Sequence, residues 1–324
     1  MITAYEAHEG QLAEIDAAGE KLSTAVWLDL FTPTRAEERR VEELAGLDLP
    51  TRADMEEIEL SSRLYASDGA VFMTATIPAR ADGDDPDMQP VSFVLLPDRL
   101  VTVRYHHPHP FRVMPARAEK GAVACTGSED ILLTLLEAVV DREADILERS
   151  GREIDDLSRA VFKNSGAAPG KGTGFREILE AIGRKGDLVS KIRDSLATLD
   201  RLAGYFNLIA AERKLDRVLR DRTKTLARDI RSIAEHAGFL AGKITFLLDA
   251  TLGLINIEQS NIIKIFSVVA FVMLPPTLIA SVYGMNFDYM PELGWRFGYP
   301  AALGLMVLSA VLPYLYFKRR GWLR

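Results

Sequence analysis

Four stretches of this chain hold side chains whose types and spacing suit ion or phosphate chemistry. The run Asp82-Gly83-Asp84-Asp85-Pro86-Asp87 gathers carboxylates, the hard oxygen ligands that divalent cations prefer. Its Gly and Pro make it a loop, and a solvated acidic loop is its simplest reading. His106, His107 and His109 form a His-His-Pro-His-Pro segment that invites a metal site. No cysteine or further ligand stands near it in sequence, so we read a solvated, turning loop. Gly166-Ala-Ala-Pro-Gly-Lys171-Gly-Thr resembles a phosphate loop only loosely. It is one residue short, has Gly172 where Ser or Thr belongs, and follows no strand, so it reads as a helix–helix linker without a nucleotide. Gly284-Met285-Asn286 carries no charge. Asn286 nevertheless offers a side-chain carbonyl, and Gly284 lets the backbone turn and present its own. No Ser/His/Asp constellation or other enzymatic motif is visible, which argues against an enzyme.

The Gly-Met-Asn triplet closes the most apolar part of the chain. From Ile265 to Tyr283 there is no charged residue, and at 1.5 Å per residue this run makes roughly 29 Å of helix, the thickness of a bilayer's hydrocarbon. Backbone polar groups in hydrocarbon need internal partners, so the run must be helical. Pro275 and Pro276 inside it imply a local kink, with hydroxyls such as those of Thr277 and Ser281 taking up the freed carbonyls. A second uncharged run spans Phe297 to Phe317. Tyr289 and Trp295, between the two runs, suit a membrane–water interface. Lys318, Arg319, Arg320 and Arg324 follow the second run, so by the positive-inside rule this end is cytoplasmic. Two spans then place the N-terminal part in the cytoplasm too, and only the connecting loop outside.

The first residues have neither a basic start nor an apolar core, so no signal peptide is expected. One cysteine, Cys125, leaves no intramolecular disulfide and fits a reducing compartment. A net charge of −7 argues against nucleic acid as a partner. Residues 1–125 mix strand-like runs (24–30, 70–77, 91–96 and 100–105) with helices over 34–44 and 51–60, each with a Thr at its start. Leu96-Pro-Asp-Arg-Leu100 reads as a hairpin turn. From Ser128 the chain turns helical: one helix to about Phe162, a second from Phe175 to about Asn207, a third from about Leu215 into the membrane. In the third, Leu226, Ile230, Ile233, Ala237, Leu240, Ile244, Leu247, Thr251 and Leu254 recur at alternating spacings of four and three. That is a coiled-coil seam, and it calls for partner helices.

The fold expected is α+β. A cytoplasmic α/β domain (1–125) is followed by a helical hairpin (126–214) and a stalk helix (215–261). The stalk continues into the first transmembrane helix (262–283). An external loop (284–296), a second transmembrane helix (297–317) and a basic tail (318–324) complete the chain.

The segments Tyr283-Gly-Met-Asn-Phe287, Met290-Pro-Glu-Leu293, NIIKIFSVV, LPPTLIAS and the YLYFKRRGWL tail are similar to the CorA family of magnesium channels. The likeness is close over roughly residues 254–323. It implies a homopentamer in the cytoplasmic (inner) membrane, with seam partners drawn from the other subunits. It implies transport of Mg²⁺, and of Co²⁺ or Ni²⁺ as the family permits, with no bound cofactor. It implies that Gly284, Met285 and Asn286 form a selectivity filter, with Asn286 contacting the hydrated ion. Ser281, Thr277, Leu274, Ala270, Phe266, Ile263 and Ser260 step inward from it at helical spacing as a pore-facing stripe. Family members carry an Asn ring at the inner end. Here Ser260 holds that position and Asn261 stands beside it, so either supplies the polar ring. Glu292 and Asp288 would attract cations outside. The family's regulation, in which Mg²⁺ bound between cytoplasmic domains holds the channel shut, would suit the acids of the 82–87 run and Asp216, Asp221, Asp229 and Asp249. A zinc transporter of the same superfamily and a membrane-anchored coiled-coil scaffold or sensor are the alternatives.

Overall fold

The computed structural model describes residues 1–8, 10–17, 20–119, 127–164, 174–286 and 290–322. It divides into two compact units, Met1–Leu248 and Asp249–Arg324. Cys125 and the loop around Lys171 lie outside the described residues.

The first unit holds a seven-stranded sheet: β1 (Ile2–His8), β2 (Gln11–Ile15), β3 (Trp27–Phe31), β4 (Leu64–Ser67), β5 (Ala70–Ala79), β6 (Asp87–Leu95) and β7 (Leu100–Arg104), in spatial order β2-β1-β3-β7-β6-β5-β4. All neighbours are antiparallel except β3 and β7. The hairpin over 96–100 forms, with the Leu96 amide donating to the Arg99 carbonyl at 2.9 Å. β1, β2 and β4 were not foreseen. Their apolar residues are interrupted by Glu, Gln and Ser, and Ala4 is buried where β1 lies between β2 and β3.

Helix α1 (Arg35–Ala45) starts as expected, with Thr34 and Glu37 forming a capping box and Gly46 closing the end at φ 69°. The helix expected over 51–60 breaks into α2 (Arg52–Glu56) and α3 (Leu60–Arg63), because Glu57 turns extended at ψ 143°. Four carboxylates crowd positions 54–59, and like charges within one turn oppose a longer helix.

The parallel register of β3 on β7 sets Asp29 opposite Thr102. Thr102 Oγ1 donates to Asp29 at 2.8 Å and accepts from Trp27 Nε1 at 3.1 Å. Arg104 grips the Asp29 carboxylate with Nε and Nη2, the latter at 2.7 Å. This buried fork is fully hydrogen-bonded on the carboxylate side, which is what makes a buried pair tolerable.

His106 contradicts the solvated-loop reading. It is 4% exposed, and its Nε2 lies 2.7 Å from the Ile77 carbonyl, so that nitrogen carries the proton. Burial pulls its pKa down and keeps the ring neutral. His107 packs on Phe31 with ring centroids 3.9 Å apart, and His109 opens helix α4 (His109–Glu119). Sequence reasoning missed the packing because the ring's acceptor lies 29 residues away.

Three long helices follow: α5 (Ser128–Asn164), α6 (Phe175–Glu212) and α7 (Arg217–Tyr283). Within the first unit the seam of α7 packs on its own chain, so the stretch from Leu226 to Leu247 has intrachain partners. Leu226, Ile230, Ala237, Leu240, Ile244 and Leu247 are all buried. A Cβ on Gly151 of α5 would meet Leu240 at 3.6 Å, and one on Gly186 of α6 would meet Ile244 at 3.6 Å. Arg222 pairs with Asp130 and with Glu137, Lys243 with Asp155, and Phe162 faces Phe246. Partners on α5 rise in number with those on α7, so these helices run parallel. Asp200 meets Arg231 and Gly186 meets Ile244, so α6 runs antiparallel to both. At 37 and 38 residues, α5 and α6 are each about 55 Å long, enough to cover the seam.

Where α5, α6 and β5 meet, Glu143 is 0% exposed. Ser195 Oγ lies 2.5 Å from both Glu143 Oε1 and the Thr76 carbonyl. One hydroxyl proton cannot serve both. The chain closes if Glu143 is protonated and donates to Ser195, which donates to Thr76. Burial pushes the Glu143 pKa up to about 8, against a smaller lowering by Ser195. The folded state then holds a proton that the unfolded chain releases near 4.5. Stability therefore falls as pH rises from about 4.5 to 8, by on the order of 3 kcal/mol at pH 7, and levels off above. Glu143→Gln, which mimics the protonated acid, should flatten that slope. Thermal unfolding across pH 5–8.5 checks this, and an equal slope in both proteins would mean that Glu143 does not hold the proton.

Candidate functional site

The candidate site belongs to the second unit, at the end of α7. The helix runs without a break through Pro275 and Pro276 to Tyr283. Those prolines leave the carbonyls of Phe271 and Val272 without their usual donors. Thr277 does not take them up, as the sequence had suggested: its hydroxyl donates to the Met273 carbonyl at 2.7 Å. Ser267 likewise donates to the Ile263 carbonyl at 2.8 Å. Both hydroxyls are thus satisfied within their own helix, as an apolar surrounding demands.

At the end, the Gly284 amide donates to the Ala280 carbonyl at 2.9 Å and the Met285 amide to Val282 at 3.3 Å. The last turn therefore tightens from α to 3₁₀ geometry. Gly284 is absent from the glycines with positive φ. Its role is close approach instead, since a Cβ there would stand 3.1 Å from the Ala280 oxygen. Met285 is 47% exposed and Asn286 is exposed as well. This is also the negative end of the helix dipole, where unpaired carbonyls favour a cation.

Below the triplet, Ala270, Leu274, Thr277 and Ser281 line one shallow groove on α7. Phe266 and Ile263 are 71% and 65% exposed. Ser260 and Asn261 are exposed too. Asp288 lies outside the described residues. Glu292 sits in a short 3₁₀ turn, Pro291–Gly294. The chain then enters helix α8 (Gly298–Arg319), which packs back on α7 where Phe271 and Phe317 have centroids 5.9 Å apart. Trp295 and Phe297 meet edge to face at the start of α8, and both are more than half exposed. Both helices are long and apolar enough to cross a membrane, and no residue of α8 is buried. Apolar surface of this extent is the mark of a lipid or subunit contact.

The acidic run is a solvated loop, with the Asp82 and Asp85 side chains 89% and 90% exposed, and each of its acids is ion-paired. Asp82 pairs with Arg142 at 2.6 Å, Asp84 with Lys185 at 2.5 Å, Asp85 with Lys191 at 2.7 Å and Asp87 with Arg80 at 3.1 Å. Asp82, Asp84 and Asp85 make it a strap fastened to α5 and α6 by Arg142, Lys185 and Lys191. Asp216 caps α7, accepting from the Leu219 amide at 2.7 Å. Among the described residues, no group of three or more His, Cys, Asp or Glu is arranged to hold a metal.

The chain matches the family model described as "CorA-like Mg2+ transporter protein" over residues 23–319. It is 34% identical over 323 residues to a Magnesium transport protein CorA of Haemophilus influenzae, covering all of both chains. It is 35% identical over 324 residues to that of Escherichia coli K12, again covering both fully. Its fold is similar to the complete CorA magnesium transporter of Methanocaldococcus jannaschii, at a TM-score of 0.79 and 19% identity over 100% of this chain and 99% of that one. A model match across nearly the whole chain and full-length relatives above 30% identity place this chain in the CorA-like Mg²⁺ transporter family.

Proposed function

We propose that the chain is the subunit of a pentameric channel that passes Mg²⁺ down its electrochemical gradient, with Co²⁺ or Ni²⁺ as further cargo. The observation that carries this reading is the uncharged Gly284-Met285-Asn286 triplet at the end of a membrane-length helix, in a chain whose full-length relatives are named magnesium transport proteins. Mg²⁺ gives up its water reluctantly, so a filter for it works on the hydrated ion through neutral oxygen donors. Five copies of Asn286 would supply a ring of amide carbonyls at the negative ends of five helices. Glu292 and Asp288 would raise the local cation concentration outside. Phe266, Leu274 and Ile263 would make an apolar constriction that shuts by dewetting. Ser260 lies about 60° round the helix from Ile263, and Asn261 about 160°, so Ser260 supplies the inner polar ring. A divalent ion gains about 4.6 kcal/mol per 100 mV, and that drive needs no nucleotide. The basic end of α8 supports an orientation with both termini in the cytoplasm. A zinc channel and a non-conducting scaffold are separated from this reading by flux of Mg²⁺ against Zn²⁺.

Regulation by cytoplasmic Mg²⁺ is part of the proposal. The 82–87 acids are ion-paired within their own chain, so a cation there would compete with Arg142, Lys185 and Lys191. Asp229 and Asp249 stand exposed on α7. Carboxylates facing each other across a subunit boundary repel, and a divalent ion between them turns that repulsion into a clamp on the closed state.

Asn286→Ala should reduce Mg²⁺ uptake to background at normal membrane expression, while native mass measurement still gives five chains. Full uptake by the variant, or conduction by a monomer or dimer, would remove the shared-axis filter. Limited proteolysis of the purified protein tests regulation. Millimolar Mg²⁺ should protect the soluble part, and identical cleavage with chelator would sink the clamp.

A further inference from the structure

A cavity of about 480 Å³ opens in the first unit between the end of β5, the start of α4 and α5. Four arginines line it, Arg80, Arg104, Arg112 and Arg142, against a single carboxylate, Asp82. Its volume falls within the 300–1,000 Å³, roughly, of small-molecule sites.

The arginines differ in what holds them. Arg104 is fixed by Asp29 and lies between the rings of Phe31 and Phe111, at 4.9 and 5.0 Å. Arg80 pairs with Asp87 at 3.1 Å. Arg142, whose side chain is only 20% exposed, holds Asp82, whose side chain is 89% exposed. An anion thus already docks on Arg142, and it comes from the rim. Arg112 lies 3.3 Å from His109 Nδ1 and has no carboxylate within ion-pair distance among the described residues. His109, Phe111 and Arg112 of the first turn of α4 also border the cavity.

Guanidinium groups match phosphate oxygens in a two-pronged geometry, and several of them together call for a ligand with several negative charges. We propose that this cavity binds a phosphorylated small anion of the di- or triphosphate class, with Arg112 and Arg142 as ligands and Asp82 as the group it displaces. Asp82 begins the strap that Asp84 and Asp85 fasten to α6, so the ligand would release the first anchor of that strap. This inference stands independently of the transport reading.

Calorimetric titration of the full-length protein in detergent and Mg²⁺-free buffer tests it, with sodium pyrophosphate and ATP as probes. Saturable binding at one site per chain is expected. Equal affinity for the two probes would mean that the phosphate chain alone is recognised, and tighter ATP binding that the nucleoside contributes. Arg112→Gln and Arg142→Gln should each weaken binding about tenfold or more, the loss expected for a charge-assisted contact. Asp82→Asn should tighten it by freeing Arg142. Arg176→Gln, the same charge change at an exposed α6 residue, should leave it unaltered. If Arg142→Gln fails to fold, Arg112→Gln decides alone. No saturable binding of either probe, wild-type affinity in Arg112→Gln, or weaker binding by Asp82→Asn would overturn the proposal.

Discussion

In hydrocarbon, an unpaired peptide group costs several kcal/mol, and the membrane part of this chain answers to that constraint first. It explains why α7 stays helical through two adjacent prolines and why Thr277 and Ser267 turn their hydroxyls back onto their own helix. It also explains where the candidate site lies. Gly284-Met285-Asn286 is the point at which the backbone leaves that helix, and Asn286 offers an exposed amide side chain there. In the proposed channel, ion chemistry would be concentrated where the backbone is released.

The other end of α7 meets a different demand. Its apolar seam lies in the soluble unit, where water would penalise exposure. At about 25 cal/mol per Å², covering five large side chains and Ala237 is worth several kcal/mol, and α5 and α6 supply that cover.

Much of the fold was legible because its signals are local. The membrane helices follow from length and charge, the Thr34 cap from one tetrapeptide, and the α7 seam from its spacing. The misreadings concern partners distant in sequence. The periodicity of α7 says that its face must be covered and says nothing of which helix covers it. The 82–87 acids look unpaired until Arg142, Lys185 and Lys191 are brought against them from residues up to 106 positions away. Glu143 and His106 are ordinary polar residues in sequence, and burial between elements raises the pKa of the first and lowers that of the second. The Gly-Met-Asn triplet was recognisable through its position at a membrane exit. One chain presents it once, and the ring that would give it selectivity is a property of the assembly.

Flux into liposomes tests the central claim most directly. Purified protein would be reconstituted with Mg²⁺ outside, a Mg²⁺-sensitive dye inside, no nucleotide, and an inside-negative potassium diffusion potential. The account predicts rapid Mg²⁺ entry that grows with the potential and is absent from protein-free vesicles. Entry no faster than in protein-free vesicles, at any potential, would contradict it.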